Sequence, residues 1–244
     1  MKNNNKFRLD VWGAITLGTI ALYALFLLYP MAYLIRQSVL DPDTGSFTLA
    51  YFTKFFSKSY YFDTLINSFK VSITATVLSI AIGTPLAYLF TIFKIKGKSV
   101  LNILIVVASM SAPFIGAYSW ILLLGRSGII TTFFKNLGIA IPDIYGFGGI
   151  VLVMTLQLFP LVFLYAKGAL KNIDNSLIEA AENLGCSGIA CFFKVVVPLI
   201  MPTLLAAALL VFMRSFADFG TPMLIGEGYR TFPVVLYTEF INEV

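Results

Sequence analysis

Long apolar runs dominate this chain, and their length leaves few ways to fold it. A membrane-crossing helix takes about 20 apolar residues. Runs of that order start near Val11, Val71, Val100, Gly149 and Val195. In hydrocarbon the backbone must bond within its own segment, so each run is read as a helix. The first, from about Val11 to Ile35, exceeds the roughly 7 to 15 apolar residues of a cleaved export signal and lacks a small-residue cleavage site, so it is read as a retained span. The predicted fold is all-α: a polytopic helical membrane bundle with five spans, residues 1–244 forming one transmembrane domain. Hydrophobic residues make up 59% and charged residues 12%, too little polar surface for a water-soluble body.

The basic residues give an orientation. FKIKGKSV, between the second and third spans, carries Lys94, Lys96 and Lys98, and the leader carries Lys2, Lys6 and Arg8. Such segments stay in the cytoplasm, which puts the amino terminus inside. The net charge of +5 is scattered, with no polybasic run or aromatic platform, and argues against nucleic acid as a partner. The stretch DPDTGSFTLAYFTKFFSKSYYFDTL opens on turn formers and reads as an ordered loop lying on the membrane.

Several chemistries are excluded. The chain has no histidine, which removes Ser-His triads, histidine metal sites and imidazole bases. Cys186 and Cys191 have the spacing of neither a zinc site nor a disulfide framework, and read as small packing residues. GKS at Gly97 to Ser99 lacks the glycine of a phosphate-binding loop, because Ile92 stands in its place. No catalytic residue, metal site or cofactor of the chain's own is expected.

One stretch stands apart, EAAENLGCSGIACFFKVVVPLIMP from Glu179 to Pro202. Ser176 precedes Glu179 by three, the capping-box spacing, so a helix is predicted from Leu177 to Leu184. Gly185 supplies the left-handed stop. Two turns, roughly 12 Å, cannot stand alone in water. Leu177, Ala181 and Leu184 share a face, and Ala180 adds another small residue, so the helix must dock on something. Spacing alone leaves open whether that is its own membrane domain or another protein. Ser187 and Gly188 permit a turn before the next span, whose entry carries Pro198 and Pro202.

Two further stretches attract interest. Arg214 and Asp218, four apart, are placed to pair on one helical face. Gly220, Thr221 and Pro222 then break the helix, as a gate in a pathway would or as an ordinary helix end does. In SMSAPFIGAYSW, Ser109, Ser111 and Ser119 surround Pro113 and Gly116; they suit either the lining of a path or close helix packing, as do Gly83 and Pro85.

EAAENLG followed by FFKVVVPLIMP resembles the EAA loop of permease subunits in binding-protein-dependent ABC importers of the type I fold. The resemblance implies that residues 168–198 form a coupling loop whose helix enters a groove on a cytoplasmic ATPase, with Glu179, Ala180, Ala181 and Gly185 at the characteristic positions. ADFGTPMLIG and GAYSWILLLGR resemble the ferric-iron branch, which implies a translocation pathway or gate near Arg214, Asp218, Gly220 and Pro222; Ser111 and Pro113 are the candidates from the third span. It further implies an ATPase dimer holding ATP and Mg, an extracytoplasmic binding protein and a second permease half, in the cytoplasmic membrane of a prokaryote. Ferric iron is the implied substrate, with phosphonate, thiamine and polyamine as related alternatives. The resemblance runs from about Leu9 to Val244, and the family's sixth span lies beyond Val244. The chain is therefore read as the amino-terminal half of a fused permease or a truncated subunit. A secondary transporter or channel is the competing class; it would carry ionisable groups deep in its spans. A membrane enzyme would need clustered acids, bases or metal ligands.

Overall fold

The computed structural model describes residues 11–41, 44–93, 96–186 and 188–242. The leader lysines and arginine, the Pro42–Asp43 part of the first turn, Lys94, Ser187 and Val244 lie outside the described residues. Among the described residues, five helical stretches are long and apolar enough to cross a membrane: Val11–Val39, Ser59–Ile92, Pro113–Asn136, Phe147–Lys171 and Gly188–Phe216.

The chain divides into two units, residues 1–62 and 63–244. The first holds α1 (Val11–Tyr23) and α2 (Tyr29–Val39), joined by a π-helical turn over Ala24–Leu28. An antiparallel bridge between Leu40 and Phe47 closes a tight loop. There Gly45 takes a left-handed φ of 64°, and its N–H donates to the Asp41 carbonyl at 2.8 Å. α3 (Ala50–Ser57) follows, so this part of the loop is ordered as the aromatic sequence suggested. Its Phe55 ring stacks on Tyr61 at 5.6 Å.

The second unit begins within α4 (Ser59–Ile92) and is built around α8 (Phe147–Lys171). The remaining elements are α5 (Lys98–Ser109), α6 (Pro113–Leu124), α7 (Ile129–Asn136), α9 (Asn175–Asn183), α10 (Gly188–Cys191), α11 (Val197–Phe216), α12 (Gly220–Ile225) and α13 (Phe232–Asn242). A second π turn, Phe192–Val196, joins α10 to α11. In lipid the hydrophobic effect cannot drive helices together, so close packing by small residues must. The buried face of α4 meets that need with Ser68, Ser72, Ala75, Ser79, Gly83 and Ala87. At Gly83 a Cβ would lie 2.9 Å from both the Phe159 carbonyl oxygen and the Val162 Cβ, so α4 and α8 touch backbone to backbone. Toward Lys171, Phe163, Ala166 and Leu170 of α8 pack with Phe90, Phe192 and Val196. Toward Phe147, Ile150, Val153 and Met154 pack with Val71, Ala117 and Ile225.

The third span departs from the sequence reading. The run from Val100 is not one helix: α5 ends at Ser109 and α6 starts at Pro113. Proline brings no N–H and drives the residue before it out of the helical region; Ala112 accordingly sits at φ −68°, ψ 141°. At 12 residues, α5 spans about 18 Å, short of a bilayer core of about 30 Å. The stretch long and apolar enough to cross is Pro113–Asn136, in which α6 and α7 follow one another.

The glycine contact yields a direct test. Gly83→Val should force α4 and α8 apart and lower stability by about 1–3 kcal/mol, as overpacking does. Thermal unfolding in detergent should show a lowered midpoint; an unchanged midpoint would mean that the contact does not hold the helices together.

Candidate functional site

The exposed loop after α8 is built by two terminal devices. Asp174 Oδ1 accepts the Ser176 N–H at 2.9 Å, and the Asp174 carbonyl accepts the Leu177 N–H at 3.1 Å. The cap is therefore Asp174 and not Ser176, which lies within α9. Hydrogen bonding from Ser176 holds the Asp174 carboxyl below its ordinary range, because the donors favour its charged form. At the other end Gly185 has φ 85°. The Cys186 N–H then reaches the Ala181 carbonyl at 3.0 Å, a Schellman closure.

Between these caps α9 presents Glu179 and Ala180 to solvent, with Ala181 half-buried. Leu184 is 88% exposed and Ile189 78%. The helix touches α10 and the π turn that leads into α11. A short helix with uncovered leucine and isoleucine beside it is an unfinished surface.

A second feature is a cavity of about 500 Å³. Ser109, Ser111, Pro113 and Phe114 line it from the α5–α6 break, Gln157 and Leu158 from α8, and Arg214, Ala217, Asp218, Phe219 and Gly220 from the end of α11. Thus Ser111, Pro113, Arg214, Asp218 and Gly220, selected from separate parts of the sequence, face one space. Pro222 does not; it is buried within α12. Ser119 turns onto its own helix, donating to the Ile115 carbonyl at 2.8 Å.

The local geometry corrects one expectation. Arg214 and Asp218 form no ion pair among the described residues, because α11 stops at Phe216 and the helical i to i+4 register is lost. Asp218 caps α12 instead. Its Oδ1 accepts the Gly220 N–H at 2.9 Å and the Thr221 N–H at 3.4 Å, and its Oδ2 accepts the Thr221 hydroxyl at 2.7 Å. A Cβ on Gly220 would lie 3.2 Å from Pro113 and from the Phe114 ring, a tight contact that brings α12 close against α6.

Sequence reasoning missed two features. Gln157 donates from Nε2 to the Ser111 carbonyl at 3.4 Å, tying α8 to the α5–α6 break. Its signal was a single amide in the apolar run VLVMTLQLFPLVF. At another place Arg126 pairs with Asp143 at 3.1 Å and Glu227 at 2.8 Å, and lies over the Tyr145 ring. This fastens three loops, although an exposed pair adds little stability.

A helical unit with a cavity at its helix breaks and an exposed, capped loop helix suits a membrane transport component. The sequence matches the family described as binding-protein-dependent transport system inner membrane component over residues 46–242. The chain belongs to that family and is a multi-pass membrane protein. Proteins named ferric transport system permease from Haemophilus influenzae and Actinobacillus pleuropneumoniae are each 28% identical to it, covering 89% and 97% of the chain but 34% of the relative. The chain thus spans about a third of their length. A spermidine/putrescine transport system permease of Haemophilus influenzae is 29% identical, over 98% of this chain and 85% of the relative. Among solved structures, a bacterial alginate ABC transporter in complex with an alginate pentasaccharide-bound periplasmic protein matches with TM-score 0.77 at 16% identity, over 96% of this chain and 84% of that one. Its likeness supports the type I importer permease fold.

The Asp218 cap is testable by hydrogen exchange. Asp218→Ala should free the Gly220 and Thr221 amides at a cost of about 1 kcal/mol, roughly fivefold faster local opening. Asp218→Asn, which keeps an acceptor, should stay near the parent rate; equal exchange in all three proteins would show that the carboxylate does not hold α12.

Proposed function

We propose that this chain is a membrane permease component of an ATP-driven ABC importer, passing ferric iron from an extracytoplasmic binding protein to the cytoplasm. The observation that carries the reading is a continuous mechanical path. Exposed α9 bears on α10 and the π turn, these run into α11, and the far end of α11 supplies Arg214 to the cavity. α11 is 20 residues long, about 30 Å, so a push at the loop reaches the cavity at its far end with little loss.

In this reading Glu179, Ala180, Ala181 and Gly185 form the contact with an ATPase subunit. ATP and Mg belong to that partner, and this chain binds no cofactor. The small residues allow another backbone to approach closely, and Leu184 offers an apolar anchor. A second permease half completes the pathway, and the amino terminus lies in the cytoplasm with α9. Closure of the ATPase dimer would displace α9 and tilt α11, opening the cavity to the opposite side. Ser111, Pro113, Arg214, Asp218, Gly220 and Pro222 form or support the gate. The high coverage of the spermidine/putrescine relative supports polyamine as a second cargo reading.

Gly185 tests the coupling. Gly185→Val places a β-branched residue at φ 85°, where only glycine, or at some cost asparagine, is accommodated. In the complete reconstituted transporter, uptake should fall about tenfold, a loss of roughly 1.4 kcal/mol in coupling, while ATP hydrolysis persists. Gly185→Asn should retain most uptake. Normal uptake by Gly185→Val would remove α9 from the mechanism.

A further inference from the structure

We infer that the cavity at the end of α11 recognises an anion through Arg214, so that iron crosses as a negatively charged chelate and not as a bare cation. The inference rests on the importer reading and assigns the chemical class of its cargo.

Two charged side chains line the cavity, and they are not equivalent. Asp218 has both oxygens engaged by the Gly220 and Thr221 amides and the Thr221 hydroxyl. Its charge is committed to the start of α12. Arg214 is exposed to the cavity and makes neither an ion pair nor a side-chain hydrogen bond among the described residues. Arg214 stands near the end of the spanning helix with no partner among the described residues, which leaves its guanidinium available to a ligand in the cavity. Its planar fork of five N–H donors suits a carboxylate or phosphate.

The neighbours point the same way. Gln157 gives one amide hydrogen to the Ser111 carbonyl and has a second to offer. Ser111 adds a hydroxyl at the cavity wall. Against this, a bare ferric ion would need several carboxylates, and no grouping of three His, Cys, Asp or Glu occurs among the described residues. The volume of about 500 Å³ falls within the usual range of small-molecule sites, about 300–1,000 Å³. Arg214 also stands in the last turn of α11, where any cation would complement the helix dipole. That role needs only charge, so lysine would serve it equally; a bidentate anion site would not accept lysine equally.

The experiment uses the intact transporter in lipid nanodiscs without ATP, and follows phenylglyoxal modification of each arginine by peptide mass spectrometry. Citrate and ferric citrate should slow reaction at Arg214 by at least about tenfold, the worth of one charge-assisted hydrogen bond. Arg126 and Arg230 should react at unchanged rates, and spermidine should protect nothing. In equilibrium dialysis with labelled citrate, Arg214→Gln should lose binding and Arg214→Lys should retain only a fraction. Absence of protection, protection by spermidine, uniform slowing at all arginines, or full citrate binding by Arg214→Lys would each overturn the assignment. Because no ATP turnover is involved, a failure of the coupling reading would show separately, as normal uptake by Gly185→Val.

Discussion

Backbone groups at membrane depth have no water to turn to, and this constraint governs the architecture. The chain interrupts its helices at two neighbouring places, before Pro113 and after Phe216, and each break requires a polar answer. Gln157 supplies one by bonding the Ser111 carbonyl. Asp218 supplies the other by capping α12. The cavity between these breaks is lined by the residues that repair them, together with Arg214, which repairs nothing. Structural necessity and functional opportunity thus share one space.

The same helix that borders the cavity begins beside the exposed α9 loop. α9 is too short to be stable in isolation, so its shape depends on the Asp174 cap, the Schellman turn at Gly185 and contact with α10 and the π turn. Such a helix leaves Leu184 and the neighbouring Ile189 uncovered. The π turn at Phe192–Val196 lies where the force would enter α11, directly before Pro198. Wide turns of this kind occur mostly as local bulges, often at functional sites.

Much of this was legible because length and glycine chemistry act locally. Four of the five apolar runs fall in helices long and apolar enough to cross a membrane, and Gly185 announced its positive φ by standing between a helical run and a turn. What escaped depended on tertiary context or backbone detail. Hydropathy reads side chains, so it carried the third span from Val100 through Pro113, although the missing proline N–H ends a helix there. Asp174, Asn175 and Ser176 are all competent caps; which one acts is set by where α8 stops. The expected Arg214–Asp218 pair assumed that α11 continued to 218, whereas it ends at Phe216. Gln157 carried no motif, and only the fold brings it beside Ser111.

The central claim is that α9 is completed by an ATPase and passes its motion to α11. Hydrogen exchange at the amides of residues 177–185 measures this directly, compared in the membrane component alone and in the assembled transporter. The account predicts fast exchange alone and strong slowing on assembly, confined to α9 and the adjoining turn. Identical exchange in both states would contradict it.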